Sequence, residues 1–586
     1  MFKKAIVIML VCMLLLSGCS GTKVTSTPDS SQNTSLSSDV QTGDDTSSDN
    51  SSSEDNTSSE DDGFIDLDSF DEDSDDEFID LGGFDDGTLG DSIFDMDFDF
   101  SEEDLDFGGS EEEEFVIKGT DFRPTGNTAA LMSNLKGGAD AEAEKLRNEI
   151  LNNSNDIKPR DPRFVFYISE KNGDDDNDGT SPEKAWKTID ALELNMYRIN
   201  NGATVLFERG GIYRVNSSVQ LKSGVYYGAY GKGEKPMLTS STKNYANELL
   251  WKPSNKKYVW MCEIKSYIDI GNIVFDHGKL TGNKRSKLAN LSQNFDFYSD
   301  EANGYCYLYL NTGNPGAKYE SIDLCPRVIV MSGRGKIEDV LIDNICMKYS
   351  GAFGVSINST AKNVKVTNCE IGFMGGSYMP NSGGSRYGNG IEFYGNAIDC
   401  LVQNNWVYQV YDAGITHQGT ESVMKNITFD RNLVEYCTWS IEVWNTDKDG
   451  NDSPDDNIEI YEDLFYTNNI LRFAGLGWAQ QRFVNEYDSH FNSWDHIQPY
   501  CKNMQITGNI FDVGAVNLIH WGIRKEDFGI ATENVGVAVS GNTYYQSYEG
   551  VADWGQLDLT ATDQTTLEEA IKQIDSNPAK IVWIGK

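Results

Sequence analysis

The sequence predicts an all-β protein built as a right-handed parallel β-helix, and two observations support this fold. One phrase, an apolar run, an Asn, further apolar residues and a turn of small residues, recurs between residues 337 and 444, with weaker copies to about residue 545. The phrase is kept while the number of residues between copies varies, as expected of a solenoid whose insertions leave as loops. An apolar residue also recurs at one place in each copy, and these residues are Met347, Ile371, Val407, Val434, Leu471 and Phe511.

An asparagine marks the predicted corner of each coil. Asn tolerates the left-handed backbone conformation, and Asn side chains stacked coil on coil can hydrogen-bond along the axis. A leucine-rich repeat would have a short, regular period rich in Leu, whereas the intervals between these residues run from 24 to 40. The predicted corner residues are Asn344, Asn368, Asn404, Asn432, Asn469, Asn509 and Asn542.

Residues 1–19 have the pattern of a signal segment. Two lysines precede an apolar run over residues 5–16, and Leu16-Ser17-Gly18-Cys19 follows. The run is short for a membrane span, and the small residues after it favour cleavage. The segment resembles a bacterial lipoprotein signal, which implies that Cys19 carries a lipid and anchors the protein to the membrane at the cell surface. The alternative is an ordinary secretory peptide with an incidental Cys.

Residues 20–118 predict a disordered acidic stalk. They contain about 33 acidic residues and two lysines, so most of the net charge of −44 lies here. Such a segment buries too little apolar surface to offset its ordering entropy, and its charges repel one another. The chain has no basic patch, so we expect no nucleic acid as a partner.

The rest of the chain divides into three further segments. Residues 119–160 are predicted as a short helical lead-in, and residues 161–557 as the β-helix, in which "AWKTIDAL" caps the open end. Between about residues 246 and 326 the coil phrase is replaced by short strand patterns with turns, which predicts an inserted small β-sandwich. Residues 558–586 are predicted as a C-terminal cap with a helix, where Thr566 and Glu569 suggest a capping box.

Eight cysteines follow Cys19, and none has the spacing of a zinc site. Four of them lie within the strand phrases, which favours buried free thiols over metal ligands. Disulfides are permitted outside the cell, but the sequence does not fix a pairing.

Two further stretches carry a resemblance to known proteins. The phrases "FVFYISEKNGDDDNDGTSPEKAWKTIDAL" and "GATVLFERGGIYRVNSSVQLKSGVYYGAYGKGEKPMLTSS" resemble the opening coils of secreted bacterial β-helix proteins that act on polysaccharides. The segment "LYLNTGNP" within the insertion resembles the corresponding sequence of β-xylosidase-type and related xylan- or fucoside-cleaving glycoside hydrolases. This resemblance implies a carbohydrate-active protein, and hydrolases and lyases share it.

Acidic residues gather where neighbouring coils are aligned. The phrases "GNGIEFYG", "DAGITHQG" and "WSIEVWN" place Glu392, Thr416 and Glu442 in one column, with Asp412 just before the middle strand. Coils about 4.8 Å apart put the two glutamates about 10 Å apart. A pair of carboxyl groups about 5–9.5 Å apart is what glycosidic cleavage requires, and Asp412 with either glutamate would meet that need.

The predicted catalytic residues are therefore Asp412, Glu442 and Glu392, with Glu435 as a rival for the second carboxyl. The resemblance to β-xylosidase-like glycosidases implies an Asp and a later Glu on neighbouring coils. We expect Asp412, in a turn open to water, to act as nucleophile or base. Glu442 lies between two tryptophans, which favours a raised pKa and the acid role, and Glu392 would bind hydroxyls or hold Asp412 ionised. The alternative is that these acids are solvated or pair with arginines.

Aromatic residues flank the same face, where sugar rings can stack on them. The residues predicted to bind substrate are His417, Trp439, Trp444, Tyr394, Trp478 and Trp494.

One acidic loop is a candidate calcium site, because its oxygen ligands alternate along the chain. It contains Asp447, Asp449 and Asn451, but it lacks the Glu expected at the twelfth position. No cofactor is required by the predicted chemistry, and calcium stays an option.

Together these patterns predict a cell-surface glycoside hydrolase that acts on a plant-type polysaccharide or oligosaccharide, with xylan-like substrates favoured. A polysaccharide lyase acting on a uronate glycan is one alternative, and a non-catalytic glycan-binding surface protein is another. We expect a monomer.

Overall fold

The chain forms a parallel β-helix interrupted by a small two-sheet insertion. The computed structural model describes residues 135–265, 267–380, 384–446, 460–478, 488–493, 501–521, 536–554 and 557–584. The predicted signal segment and acidic stalk lie outside these residues. The described α-helices are α1 (Asp140–Leu151), α2 (Ile189–Leu194) and α3 (Gln564–Ile571).

The described strands of the coils and of the insertion follow in chain order. The first are β1 (Val165–Ile168), β2 (Thr204–Glu208), β3 (Ile212–Arg214), β4 (Val219–Gln220), β5 (Tyr226–Tyr230) and β6 (Met237–Thr239). The insertion holds β7 (Trp251–Pro253), β8 (Val259–Glu263), β9 (Ile270–Phe275), β10 (Leu280–Thr281), β11 (Asn283–Lys284), β12 (Asp296–Asp300), β13 (Tyr305–Tyr309) and β14 (Ile322–Pro326).

The later coils carry the remaining strands. They begin with β15 (Met331–Asp343), β16 (Cys346–Ser350), β17 (Val355–Thr367), β18 (Glu370–Met374), β19 (Ser377–Tyr378), β20 (Arg386–Tyr387), β21 (Ile391–Ile398), β22 (Leu401–Gln403), β23 (Trp406–Val410), β24 (Ala413–Thr420), β25 (Val423–Asp430) and β26 (Leu433–Glu435). They end with β27 (Trp439–Thr446), β28 (Ile460–Thr467), β29 (Ile470–Arg472), β30 (Phe491–Ser493), β31 (Cys501–Thr507), β32 (Ile510–Asp512), β33 (Ile519–Trp521), β34 (Val537–Ser540), β35 (Thr543–Gln546), β36 (Gly550–Trp554), β37 (Leu557–Thr560) and β38 (Lys580–Trp583).

Each coil contributes strands to three parallel faces. Face 1 contains β4, β21, β24, β27, β30, β33 and β36, and face 2 contains β1, β2, β5, β22, β25, β28, β31 and β34. The long strands β15 and β17 run through both of these faces and join them into one sheet. Face 3 contains β3, β6, β16, β18, β23, β26, β29, β32, β35 and β38.

The predicted apolar row is confirmed on face 3. Met347 pairs with Ile371, and the register continues coil by coil to Phe511. Every member is buried in the main core, because alternate residues of these strands point inward. The row therefore sets the register of the coils.

The asparagine corner differs from the prediction, because two adjacent columns had been merged into one. Asn344, Asn368 and Asn404 lie in a column of residues with positive φ, where the chain turns into face 3. Asn432 and the later predicted residues lie one position further along, in a buried ladder. The ladder consists of Asn405, Asn432, Asn469, Asn509 and Asn542.

The ladder bonds run in one direction along the axis. Asn469 donates its backbone N–H and its Nδ2 to Asn509 Oδ1 at 2.9 and 3.0 Å, and its own Oδ1 accepts the same two bonds from Asn432. Its Nδ2 also donates to the Phe429 carbonyl at 2.8 Å. Each ladder residue therefore satisfies buried backbone groups of two neighbouring coils.

Replacing Asn469 with Ala is expected to lower the free energy of unfolding by about 3 kcal/mol, because it leaves buried donors and a carbonyl without partners. Chemical denaturation measures this change. Asn303→Ala, in an exposed turn of the insertion, is the matched control and should change stability by less than about 0.5 kcal/mol. A similar small effect at Asn469 would contradict a structural role for the ladder.

The insertion is a sandwich of two small sheets, as predicted. One sheet has the order β11, β12, β13, β8 and β7, and the other has the order β10, β9 and β14. Inward residues of both sheets, such as Trp251, Phe275 and Phe297, share a separate apolar core. The coil resumes at β15, whose Met331 pairs with Val219 of β4. The β-helix therefore continues across the insertion without loss of register.

The three helices cover exposed parts of the coils. Helix α1 packs its Ala143, Leu146 and Ile150 against the outer side of face 3. Helices α2 and α3 bury apolar side chains in the main core at its first and last coils. The capping box of α3 differs from the prediction: Asp563 is the N-cap and Thr566 is the third residue, while Glu569 takes no part.

The eight cysteines of the described residues are all buried and none is bonded to another. Burial raises the pKa of thiols such as Cys400 and Cys501 to about 12. These thiols are therefore protonated core residues at neutral pH. Within the described ranges, no helix combines the length and the apolar character needed to span a bilayer.

Candidate active site

A column of polar side chains runs along the outer side of face 1. Glu392, Thr416 and Glu442 lie in register on neighbouring strands, as the aligned phrases predict. Their strand neighbours, such as Ile391 and Phe393, point into the core, so the column points outward. The full column is Gln220, Ser332, Ser356, Glu392, Thr416, Glu442, Asn492, His520 and Asp553.

A second outward column lies two residues further along the same strands. Tyr394, Gln418 and Trp444 are in register there. The Tyr394 and Trp444 rings meet edge to face, with centroids 6.1 Å apart. The acids therefore have an aromatic neighbour on one side, as a sugar-binding surface requires.

Glu392 is held by three hydrogen-bond donors. Its Oε1 accepts from Ser356 Oγ at 2.9 Å, and its Oε2 accepts from Asn389 Nδ2 at 2.7 Å and from Gln418 Nε2 at 3.0 Å. The residue is only 6% exposed. Its carboxyl group is therefore fixed in both position and orientation.

Burial raises the pKa of Glu392 to about 7, although bonds from Ser356 and Asn389 favour the charged form. The negative charge of Asp412 raises the pKa further. A carboxyl group with this pKa keeps its proton for part of the time at neutral pH. It can therefore act as a general acid.

This pKa predicts a pH-dependent stability difference between the wild type and Glu392→Gln. The folded state holds the Glu392 proton more tightly than an ordinary glutamate of pKa 4.5 does. The contribution of this group to stability is thus present below pH 4.5 and is lost as the pH rises through about 7. Relative to the wild type, the variant should gain about 3 kcal/mol between pH 4 and pH 8. Urea unfolding at both pH values measures this, and a constant difference would contradict it.

Asp412 occupies the turn that leads into β24 and is partly exposed. Its carbonyl accepts hydrogen bonds from the backbone N–H groups of Thr438 and Trp439. The next residue, Ala413, donates its N–H to Asn389 Oδ1 at 2.9 Å. Asn389 therefore connects Glu392 to the turn that carries Asp412.

The hairpin formed by β19 and β20 precedes Asn389 and is anchored on the insertion. Tyr378 N–H donates to Asp269 Oδ2 at 2.6 Å, and Lys284 Nζ binds the same oxygen at 2.5 Å. Lys284 also lies over the Tyr378 ring, 4.4 Å from its centroid. Through this buried ion pair, the insertion contacts the segment that positions Glu392.

Glu435 is not part of this site, which corrects its prediction as a rival catalytic residue. It lies on face 3, 2% exposed, and binds Arg472 at 3.0 Å and Arg147 of helix α1 at 2.7 Å. Trp406 Nε1 donates to the same carboxylate at 3.0 Å. Its bonds therefore hold α1 on the β-helix.

Two of the predicted substrate-binding residues are also placed elsewhere. His417 points into the core and bonds the Tyr466 hydroxyl at 2.5 Å, and burial lowers its pKa to about 3. Trp478 is fully buried, and its Nε1 donates to the Gln409 carbonyl at 2.7 Å. Neither side chain is available to a sugar.

Trp439 is 3% exposed and begins β27, in register with Ala413 beside the Asp412 turn. The predicted residues Trp494, Asp447, Asp449 and Asn451 lie outside the described residues, as does Cys19. Within the described ranges, no three or more His, Cys, Asp or Glu side chains converge in a metal-binding group.

Six site residues were not predicted as such. For Asn492, His520 and Asp553 the signal was present in the sequence, because "SHFNS", "LIHWG" and "VADWG" align with the three phrases that locate the acids. The missed residues are Ser356, Asn389, Gln418, Asn492, His520 and Asp553.

Comparison with known proteins gives likeness only at the level of solved structures. No protein-family model matches the chain. No curated protein sequence matches it either. A structure described as a glycoside hydrolase matches 72% of this chain and 96% of its own, at 10% identity and a TM-score of 0.39.

Two further structures are similar to a comparable extent. XylC in complex with xylose matches 68% of this chain and 87% of its own, at 10% identity and a TM-score of 0.31. Pectate lyase Pel9A matches 65% of this chain and 69% of its own, at 12% identity and a TM-score of 0.35.

Proposed function

We propose that the protein is a glycoside hydrolase whose substrate is a neutral glycan. Two carboxyl groups of the protein carry out the cleavage. The observation that carries this proposal is the pairing of Glu392, buried and with a pKa of about 7, with the charge of Asp412 in a partly exposed turn. Two carboxyl groups with divergent environments supply the acid and the base of glycosidic cleavage.

We assign the acid role to Glu392 rather than to Glu442. Its raised pKa allows it to protonate the leaving oxygen, whereas Asp412 acts as the nucleophile or as the base that activates water. Glu442 lies two strands away in the same column and would bind substrate hydroxyls. The partly exposed Tyr394 would stack on a sugar ring beside it, and Trp444, which is 6% exposed, packs edge to face against Tyr394.

Three cations that could serve a lyase are engaged by other groups within the part of the chain that the structure describes. A lyase requires a basic group to take a proton and a cation to neutralise a uronate carboxylate. Lys348 binds Glu370 on face 3 at 2.6 Å, and Lys425 binds Glu462 on face 2 at 3.2 Å. Arg386 donates to the Gly376 carbonyl at 2.7 Å and stacks over a tyrosine. Their placement favours hydrolysis.

Digestion of a glycan panel tests this proposal. Xylan, arabinan, aryl xylosides, aryl fucosides and uronate glycans are incubated with the full-length protein, and reducing ends are followed together with ultraviolet absorbance. Reducing ends without absorbance are expected from a neutral glycan, with xylan-type substrates first. A new absorbance would indicate an unsaturated product and a lyase. No cleavage with retained glycan binding would favour a non-catalytic binding protein.

The proposed location is the cell surface, through a lipid on Cys19. Metabolic labelling with a palmitate analogue should give a labelled wild type and an unlabelled Cys19→Ala variant that appears in the medium. Equal labelling of both proteins would contradict this anchor.

A further inference from the structure

The polar column continues on the coils after Glu442. Asn492 is in register with Glu442, His520 with Asn492, and Asp553 with His520. Asn492 and His520 are buried, and Asp553 is partly exposed. The preceding residue of each strand, Phe491, Ile519 or Ala552, lies in the core, so these polar side chains point outward and have no role in the core of the coils.

One end of the Asn492 amide is fixed and the other is not. His520 Nδ1 bonds Asn492 Oδ1 at 2.7 Å, and His520 Nε2 lies 3.5 Å from Asp553 Oδ2. Asn492 Nδ2 is buried and has no hydrogen-bond partner among the residues that the structure describes. An unmade bond of this kind costs about 1–3 kcal/mol, so the geometry calls for a ligand atom at this amide.

The same situation occurs on the other side of Glu442. Thr416 Oγ1 is buried, lies between the two glutamates of the column, and also lacks a partner within the described ranges. Thr416 and Asn492 are two strands apart, which corresponds to about 10 Å. Two unpartnered polar groups thus flank Glu442 along the helix axis.

We infer that Thr416 and Asn492 bind hydroxyl groups of two successive sugars, and that His520 is a positioning residue that orients the Asn492 amide. This inference rests on the proposed hydrolase activity and adds two subsites, which a neutral oligosaccharide lying along the helix axis would occupy. Glu442 is the strand neighbour of Asn492, and Asp553 lies two strands beyond Asn492 in the same column. Acidic groups at both places disfavour a uronate there.

Kinetics on substrates of different length test this inference. Asn492→Ala in the full-length protein should lower kcat/KM about tenfold on an oligosaccharide of three or more sugars, as expected for one lost hydrogen bond. The loss should be smaller on an aryl monosaccharide, because Asn492 lies three strands from Glu392. Thr416→Val, which keeps the side-chain volume, should lower kcat/KM on substrates of either length.

His520→Gln gives the readout for positioning. If His520 acts through Asn492, a variant that combines His520→Gln with Asn492→Ala should lose no more activity on the oligosaccharide than Asn492→Ala alone. Additive losses would overturn the positioning role. Melting temperatures identify a variant that fails to fold. Calorimetry provides a second test. It measures binding of an oligosaccharide to the Glu392→Gln variant, with and without the Thr416→Val substitution.

The outcomes separate the two proposals. A wild type that cleaves no glycan would refute the hydrolase assignment. A wild type that cleaves glycans, with an Asn492→Ala variant whose loss is the same for one sugar and for several, would refute the subsite alone.

Discussion

Glu392→Gln is expected to lower kcat by roughly 10²–10⁴-fold on a natural glycan, because the leaving sugar then departs without a proton. The loss should be much smaller on an aryl glycoside whose phenol is acidic, since that group needs no protonation to leave. In the wild type, kcat/KM should also fall as the pH rises through about 7, where Glu392 loses its proton. This limb of the pH profile should be absent in the variant.

Asp412→Asn provides the contrasting result for the second carboxyl group. It should be inactive on both natural and activated substrates, because the nucleophile or base is needed whichever group leaves. Azide that restores activity to a glycine or alanine variant of Asp412 would identify it as a nucleophile and predict retention. If Glu442→Gln rather than Glu392→Gln shows the dependence on leaving group, the acid is Glu442.

Glu435→Gln is the matched control for these acid variants, since its carboxylate is buried on face 3. It should keep most of the activity on every substrate. If the Glu435→Gln protein is folded but loses as much activity as Glu392→Gln, Glu435 belongs to the catalytic site after all.

Arg472→Leu is expected to lower the free energy of unfolding by about 3–5 kcal/mol. The guanidinium binds Glu435 at 3.0 Å and Asp512 at 2.7 Å, and it also binds Asp140 at the start of α1. Removing it leaves two buried carboxylates without their main cation, and an uncompensated buried charge is far costlier than a broken surface pair. Chemical denaturation followed by circular dichroism measures the change.

Arg163→Leu is the control for the loss of an arginine ion pair. Its partner Asp161 is 2.6 Å away, but the Arg163 side chain is 77% exposed. The expected loss is much smaller than for Arg472→Leu, because water screens the pair and solvates both charges when it breaks. Equal losses of unfolding free energy in the two variants would contradict the larger stabilising effect expected of the buried network around Arg472.

The fold and the register could be predicted because they depend on short-range patterns. The apolar row from Met347 to Phe511 recurs in every coil, and an alignment by that row also places Glu392, Thr416 and Glu442 correctly. The asparagine corner was misassigned by one residue in its first coils, because Asn is favoured both at positive φ and in the ladder.

The surroundings of the acids depend on contacts between residues far apart in the chain, which no local pattern encodes. His417 follows Thr416 on β24, so strand alternation turns its side chain inward. Its partner there, Tyr466, comes 49 residues later in the chain. The pKa of Glu392 is raised by its burial and by the charge of Asp412, and neither cause is visible in the residues next to it in sequence. Charge and burial together, rather than neighbours in sequence, determine which carboxyl keeps its proton.

The last coil ends the asparagine ladder with a different residue. Asn542 donates its backbone N–H and its Nδ2 to Asp575 Oδ2, at 3.2 and 3.0 Å, and Tyr544 donates its hydroxyl to the same oxygen at 2.9 Å. An asparagine here would present an amide donor in need of another coil, but a carboxylate only accepts. Asp575 therefore ends the asparagine ladder. It accepts the hydrogen bonds of the last asparagine, and its carboxylate offers no donor through which the strands of a second molecule could extend the ladder.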